Sequence, residues 1–218
     1  MHLVMLIDVS GSMGDFSVEL KSNSIKRYLM LTPKNFHEKF LIHIDKLNVG
    51  EVISKGDCVD LIAHFIREKL IGTDVSLGIS WFNNDASFIE FDKRGRKFIN
   101  LKETNERLLK VVSMAIHKIT RVHMSGTDFS RGLTCAYKNM DGKSGKVVIL
   151  TDGKWNMGKN PLRIYSKIPH IIVCVGNTSK VYMDVLRKMS DGKIVKILDL
   201  DEKTEDKLDT VVKWILSP

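Results

Sequence analysis

Three stretches of this chain carry an unbroken apolar run: "HLVMLIDV" (residues 2–9), "KVVILTDG" (146–153) and "HIIVCVGN" (170–177). A strand with one face in water alternates apolar and polar residues. A strand that is apolar at successive positions is buried on both faces. Both faces must then be covered by helices, which commits the chain to a mostly parallel α/β sheet. Three further strands fit around these. "DVSLGISWF" (74–82) is a second strand, and "ASFIEFD" (86–92) follows the turn "NND" and alternates as a half-covered antiparallel edge does. "KIVKILDL" (193–200) is more polar and belongs near the other edge.

Helical periodicity fills the intervals. "CVDLIAHFIREKL" puts Val59, Ile62, Ala63, Ile66 and Leu70 on one face, and "TNERLLKVVSMAIHKI" does the same with Leu108, Val111, Val112, Ala115 and Ile119. "DFSRGLTCAYKNM", "SKVYMDVLRKMS" and "TEDKLDTVVKWIL" follow, with Thr104, Ser179 and Thr204 positioned as caps. Residues 1–218 therefore read as one domain, with no internal repeat. One stretch breaks the rhythm. Residues 13–55 contain "TPKNFHEKFLIHIDKL", where Thr32 can cap, Pro33 can open a helix, and Phe36, Phe40, Ile44 and Leu47 form a stripe. This predicts a helical insertion that leaves the sheet directly after the first strand.

Composition narrows the function classes. At 218 residues and 43% hydrophobic the chain can bury a sizeable core, and no apolar run reaches the roughly 18 residues of a membrane span. The first strand starts almost at Met1, with no charged leader, so no secretory signal is expected. Cys58, Cys135 and Cys174 are odd in number and widely spaced, which argues against a disulfide framework or thiolate zinc site. The expectation is a cytoplasmic protein with buried free thiols. The seven histidines form no i, i+4 ligand pair, and His117 and His123 do not obviously share a face. The net charge of +8 favours acidic partners without choosing among them. The one dense basic cluster, "KRGRK" (93–97), centres on Gly95 and reads as a solvated hairpin tip, with an anion-binding patch as the alternative.

The chemistry gathers where strands end. In a parallel sheet, ligands bind beyond the carboxyl ends of the strands. The first strand ends in Asp8, Ser10 and Ser12, and the fourth ends in Asp152. Two carboxylates facing one crevice repel unless a cation lies between them. The loop "MSGTDFSRGL" adds the hydroxyl of Thr127, while Asp128 reads as the cap of the helix that follows. Ser10 and Ser12 as turn residues, and Thr127 as a helix cap, are the plain alternatives. Trp155, just after "TDGK", is either a binding anchor or a packing residue.

D-x-S-x-S at 8–12, the "SGTD" loop around Thr127 and "TDG" at 151–153 together resemble the metal-ion-dependent adhesion site of von Willebrand factor type A domains. The order of elements matches through Pro218, except for the 13–55 insertion. The resemblance implies a Rossmann-like doubly wound, mostly parallel six-stranded sheet with one antiparallel edge strand and helices on both faces. It implies that Ser10, Ser12 and Thr127 bind the ion directly, with Asp8 and Asp152 binding directly or through water. Oxygen-only donors select a hard ion, Mg²⁺ or Mn²⁺. It implies a binding module and not an enzyme. Its partner would be a protein supplying an Asp or Glu, among multiprotein assemblies or ring-shaped ATPases.

Two other functions compete. Asp8 at a strand end beside Mg²⁺ resembles the nucleophile of haloacid-dehalogenase-type phosphatases, but Ser10 stands where those have a second Asp. Charge-driven nucleic-acid binding lacks stacking aromatics around the basic cluster.

Overall fold

The computed structural model describes residues 1–26, 47–141, 143–156 and 169–218. Its central sheet is built from β1 (His2–Asp8), β4 (Ser76–Phe82), β5 (Ala86–Phe88), β6 (Ile99–Asn100), β7 (Gly145–Thr151), β8 (His170–Val175) and β9 (Ile194–Ile197). The order is β5-β4-β1-β7-β8-β9, with β6 also on β4. β1 pairs in parallel with β4 and β7, and β7–β8 and β8–β9 are parallel too. The three unbroken apolar runs are therefore central strands, as their burial on both faces requires.

The antiparallel edge is divided. β5 pairs with Ser80–Phe82 and β6 with Ser76–Leu77, so the two share the outer rim of β4 in succession. The basic cluster lies in the turn between them. Asp92 accepts the backbone N–H groups of Arg94 and Arg96 and pairs with the Arg96 side chain at 3.2 Å, and Gly95 takes φ +75°. The cluster is thus a tight turn, closed by Phe91 N donating to Arg96 O at 2.7 Å. It is not the hairpin tip expected, because β5 and β6 run the same way along β4 and pair with it and not with each other. The strand before it stops at Phe88 and not at Asp92.

Five described helices cover the sheet: α1 (Lys55–Leu70), α2 (Glu106–Thr120), α3 (Phe129–Met140), α4 (Lys180–Met189) and α5 (Thr204–Leu216). Leu3, Met5 and Ile7 of β1 pack with α1, α2 and α5, and Val4 and Leu6 with α3 and α4. This alternation divides the core into two layers. Where α1 meets α2 the backbones nearly touch, because a Cβ on Gly56 would stand 2.5 Å from the Thr120 carbonyl oxygen. Backbone cannot yield as a side chain does. Gly56→Ala is expected to cost about 2 kcal/mol of stability from overpacking, read as a lower urea midpoint with an unchanged slope.

Several local expectations shift by a residue or more. α1 begins at Lys55 and not Cys58, with Ser54 as its cap, accepting from Asp57 N. Asn105, and not Thr104, caps α2 by accepting from Leu108 N at 3.0 Å. Lys203 stands at the cap of α5, while Thr204 is tied back to Asp201. Ser179 occupies its cap position without a side-chain hydrogen bond. α5 is fastened at its other end by the Lys146 ammonium, which donates to the carbonyls of Trp214 at 2.7 Å and Ser217 at 2.5 Å.

The 13–55 stretch is described only at its two ends. At those ends Gly11–Gly14 is a short 3₁₀ turn, and β2 (Phe16–Glu19) pairs antiparallel with β3 (Val52–Ser54). Leu47 is half-buried against the larger core layer. The helix expected over Thr32, Pro33, Phe36, Phe40 and Ile44 lies outside the described residues. Cys58 and Cys174 are buried free thiols, and burial pushes Cys174 up to about 11. Among the described residues no helix is long and apolar enough to cross a membrane.

Candidate metal centre

The centre is built where β1 and β7 end side by side. Ile7 pairs with Leu150 in the parallel ladder, so Asp8 and Thr151 come next on their strands, followed by Asp152. Asp8 is 1% exposed and Asp152 fully buried. Thr151 Oγ1 donates to Asp8 Oδ2 at 2.6 Å, and the Ser10 N–H donates to Asp8 Oδ1 at 2.8 Å. Burial pushes the Asp8 carboxyl up to about 7. The Thr151 and Ser10 hydrogen bonds work against that shift, and the neighbouring charge of Asp152 adds to it.

The chain then turns sharply through the 3₁₀ segment, which brings Ser12 back beside Ser10. Their hydroxyl oxygens are 3.2 Å apart. Ser10 is buried, at 2% exposure, and Ser12 half-buried.

Thr127 arrives from the α2–α3 loop, and three bonds fix that loop. Met124 N donates to Val9 O at 2.8 Å, Asp128 N donates to Asn83 O at 2.6 Å, and Thr127 N donates to Asn156 Oδ1 at 2.8 Å. The loop is thereby tied to the ends of β1 and β4 and to the segment after β7. Asp128 caps α3, its Oδ1 accepting from the backbone N–H groups of Ser130 and Arg131. Gly132 lets α3 approach closely, since a Cβ there would meet Phe82 at 2.8 Å. The backbone thus carries Asp8, Ser10, Ser12, Asp152 and the loop of Thr127 to the carboxyl end of the central strands, where Thr127 is 1% exposed. Trp155 is half-buried against the α3–α4 core layer, which favours packing over an exposed anchor.

The sequence reading missed two charged neighbours. Lys55, only 3% exposed, donates to Asp152 Oδ2 at 2.8 Å, Asp15 Oδ2 at 3.3 Å and Ser12 O at 3.2 Å. Burial works against this ammonium, but Asp152 and Asp15 more than reverse the effect and hold it above the usual lysine value. Lys154 lies 3.4 Å from Asp15 and 3.7 Å from Asp152. One signal was available. Lys55 is the first residue of α1, at the positive end of the helix dipole, where a cation is unfavourable without a partner.

The donor set fits a hard divalent cation. It offers three neutral hydroxyls and two carboxylates, oxygen throughout. Asp8 is a deeply buried carboxyl with hydrogen bonds but no ammonium or guanidinium paired to it among the described residues, as a position meant for a metal ion would be. Among the described residues no group of three or more His, Cys, Asp or Glu is placed to hold a metal ion, so this centre depends on its hydroxyls. A chemically distinct cluster lies between α1 and α2. There the fully buried Asp60 receives His117 Nδ1 at 2.8 Å and stands 3.0 Å from His64 Nδ1.

No family model matches the chain, and no curated relative matches it. Solved structures do. The conserved hypothetical protein BatB from Bacteroides thetaiotaomicron aligns over 98% of both chains at 12% identity and a TM-score of 0.58. A von Willebrand factor type A protein from Catenulispora acidiphila aligns over 98% of this chain and 42% of its own, at 15% identity and a TM-score of 0.60. Proximal thread matrix protein 1 from the mussel byssus aligns over 98% of this chain and 45% of its own, at 18% identity and a TM-score of 0.54. The present chain thus spans less than half the length of the last two. These likenesses establish the architecture.

Proposed function

We propose that this chain, whose fold is that of a von Willebrand factor type A domain, is a metal-dependent protein-binding module. Ser10, Ser12 and Thr127 would hold Mg²⁺ or Mn²⁺ through their hydroxyl oxygens, with Asp8 and Asp152 as direct or water-linked carboxylates. The bound ion supplies an electrophilic vertex that an Asp or Glu of a partner protein completes. Neutral hydroxyls matter to that role. Two carboxylates balance the charge of a divalent ion without saturating its coordination, so an acidic ligand is still attracted.

The observation that carries this reading is the pair Asp8 and Asp152 at adjacent strand ends, with the Ser10 N–H bonded to Asp8 and the Ser10 and Ser12 hydroxyls 3.2 Å apart. The net charge of +8 adds a general attraction for acidic surfaces. A phosphatase reading gains nothing comparable, because the position two residues after Asp8 holds a serine.

The test is affinity capture from a cell extract on the immobilised chain. Proteins retained in Mg²⁺ are expected to elute with EDTA. Retention of the same proteins throughout an EDTA wash would contradict the proposal.

A further inference from the structure

Lys55 is an unusual neighbour for a cation site, because it brings a buried positive charge to it. Its three N–H donors are all engaged, by Asp152, Asp15 and Ser12. Its stem lies against Gly176, where an added Cβ would stand 3.2 Å from Lys55 Cε, and Gly176 itself takes φ +70°. The Lys55 N–H donates to Asp15 O at 3.1 Å, so the backbone also holds the ammonium in register with Asp15. This is a built position for the side chain and not a surface lysine folded inward.

The charges around the rim then follow. Where β1 and β7 end, the buried charges are Asp8, Asp152 and Lys55, which leave one net negative charge when all are ionised. A divalent cation turns that into one net positive charge, which a single incoming carboxylate neutralises. Without Lys55 the rim would carry two negative charges. A divalent ion would neutralise them fully, leaving no net charge to attract an acid.

Resting on the proposed metal-dependent binding, we propose that Lys55 is the specificity-determining residue of the centre: its ammonium offsets Asp152, weakening retention of the metal ion and strengthening capture of a partner's carboxylate. Lys55 touches neither ion nor partner in this account. It acts through Asp152 and through the local field, which in a buried setting extends over several ångströms with little screening.

The experiment uses the full chain and two probes, Mg²⁺ alone by calorimetry and acetate on the Mn²⁺-loaded protein by water-proton relaxation. Lys55→Met is expected to bind Mg²⁺ about tenfold more tightly than the parent, and to require several-fold more acetate to displace metal-bound water. Lys154→Met is the control. With its side chain 41% exposed, it should change either number less than threefold. If Lys55→Met is unfolded in EDTA, excess Mg²⁺ must restore its near-ultraviolet circular dichroism, since the ion replaces the lost charge.

Equal or weaker Mg²⁺ binding by Lys55→Met, unchanged acetate capture, or failure of Mg²⁺ to restore an unfolded variant would each overturn the role of Lys55. In all three cases metal binding by the parent still stands. A parent chain that binds no Mg²⁺ would overturn this role and the metal-binding proposal together.

Discussion

The double variant Ser10→Ala with Ser12→Ala is expected to fold as the parent does and to give no measurable Mg²⁺ isotherm, a loss of at least about a hundredfold in affinity. The two halves of that expectation have separate reasons. The hydroxyls bond each other at 3.2 Å, so removing both leaves no orphaned partner between them, and such paired deletions are nearly neutral for folding. Asp8 keeps its bonds from Thr151 Oγ1 and from the backbone N–H at position 10. Metal affinity has no such compensation. Magnesium demands near-ideal octahedral oxygen geometry, and the two alanines would remove two of the proposed ligand oxygens and offer none in their place. Calorimetry reads the first quantity and urea unfolding the second. Retained affinity in the double variant would mean that these hydroxyls are turn residues only.

The second large effect lies away from the rim. Asp60→Ala is expected to cost about 2–3 kcal/mol, because it removes the carboxylate that accepts from the buried His117 and lies beside His64, while His64 Nδ1 keeps the Asp60 backbone carbonyl at 2.8 Å. His117 Nδ1 is 2.8 Å from Asp60 Oδ2, His64 Nδ1 is 3.0 Å from Oδ1, and Asp60 and His64 are fully buried. Burial alone would raise this carboxyl. His64 and His117 outweigh it and hold the group well below the usual carboxylate range. A carboxyl depressed in the folded state stabilises the protein above its unfolded value, near pH 4, and loses that contribution as the pH falls further. The gap in stability between parent and Asp60→Ala should therefore be full at pH 7 and shrink at more acid pH. Urea midpoints at several pH values measure it, and a variant within about 1 kcal/mol of the parent at pH 7 would contradict this account.

These two sites differ in how far the sequence reveals them. Asp8, Ser10 and Ser12 lie within five positions at the end of a run whose burial is obvious, so spacing alone places them on one turn. Asp152 follows a second such run, and the strand pairing that joins the two ends is the ordinary topology of a doubly wound sheet. Thr127 is legible because the helix after it needs a cap, which Asp128 supplies. Lys55 is different. Its contact with Asp152 spans 97 positions, and His117 reaches Asp60 across 57. Periodicity carries no information about which polar residue on a buried helix face will find a partner so far along the chain.

Short strands fail for another reason. β2 has four residues, β3 three and β6 two, too few for a two-residue period to rise above noise. Among the described residues β2 and β3 form a two-stranded sheet of their own, and an isolated bridge from Leu20 to Leu200 links their ribbon to the far side of the main sheet. Packing against the finished core decides such elements, and local preference does not. The caps show the same limit on a smaller scale. Thr104 and Asn105 are both competent N-cap residues, and only the path of the incoming chain selects Asn105.

The most direct test is diffraction from crystals of the full chain grown with Mn²⁺, with data collected at the manganese absorption edge. The account predicts one strong anomalous peak at the rim, within bonding distance of the hydroxyl oxygens of Ser10, Ser12 and Thr127. A peak bound elsewhere, or no peak with Mn²⁺ present in excess, would contradict it.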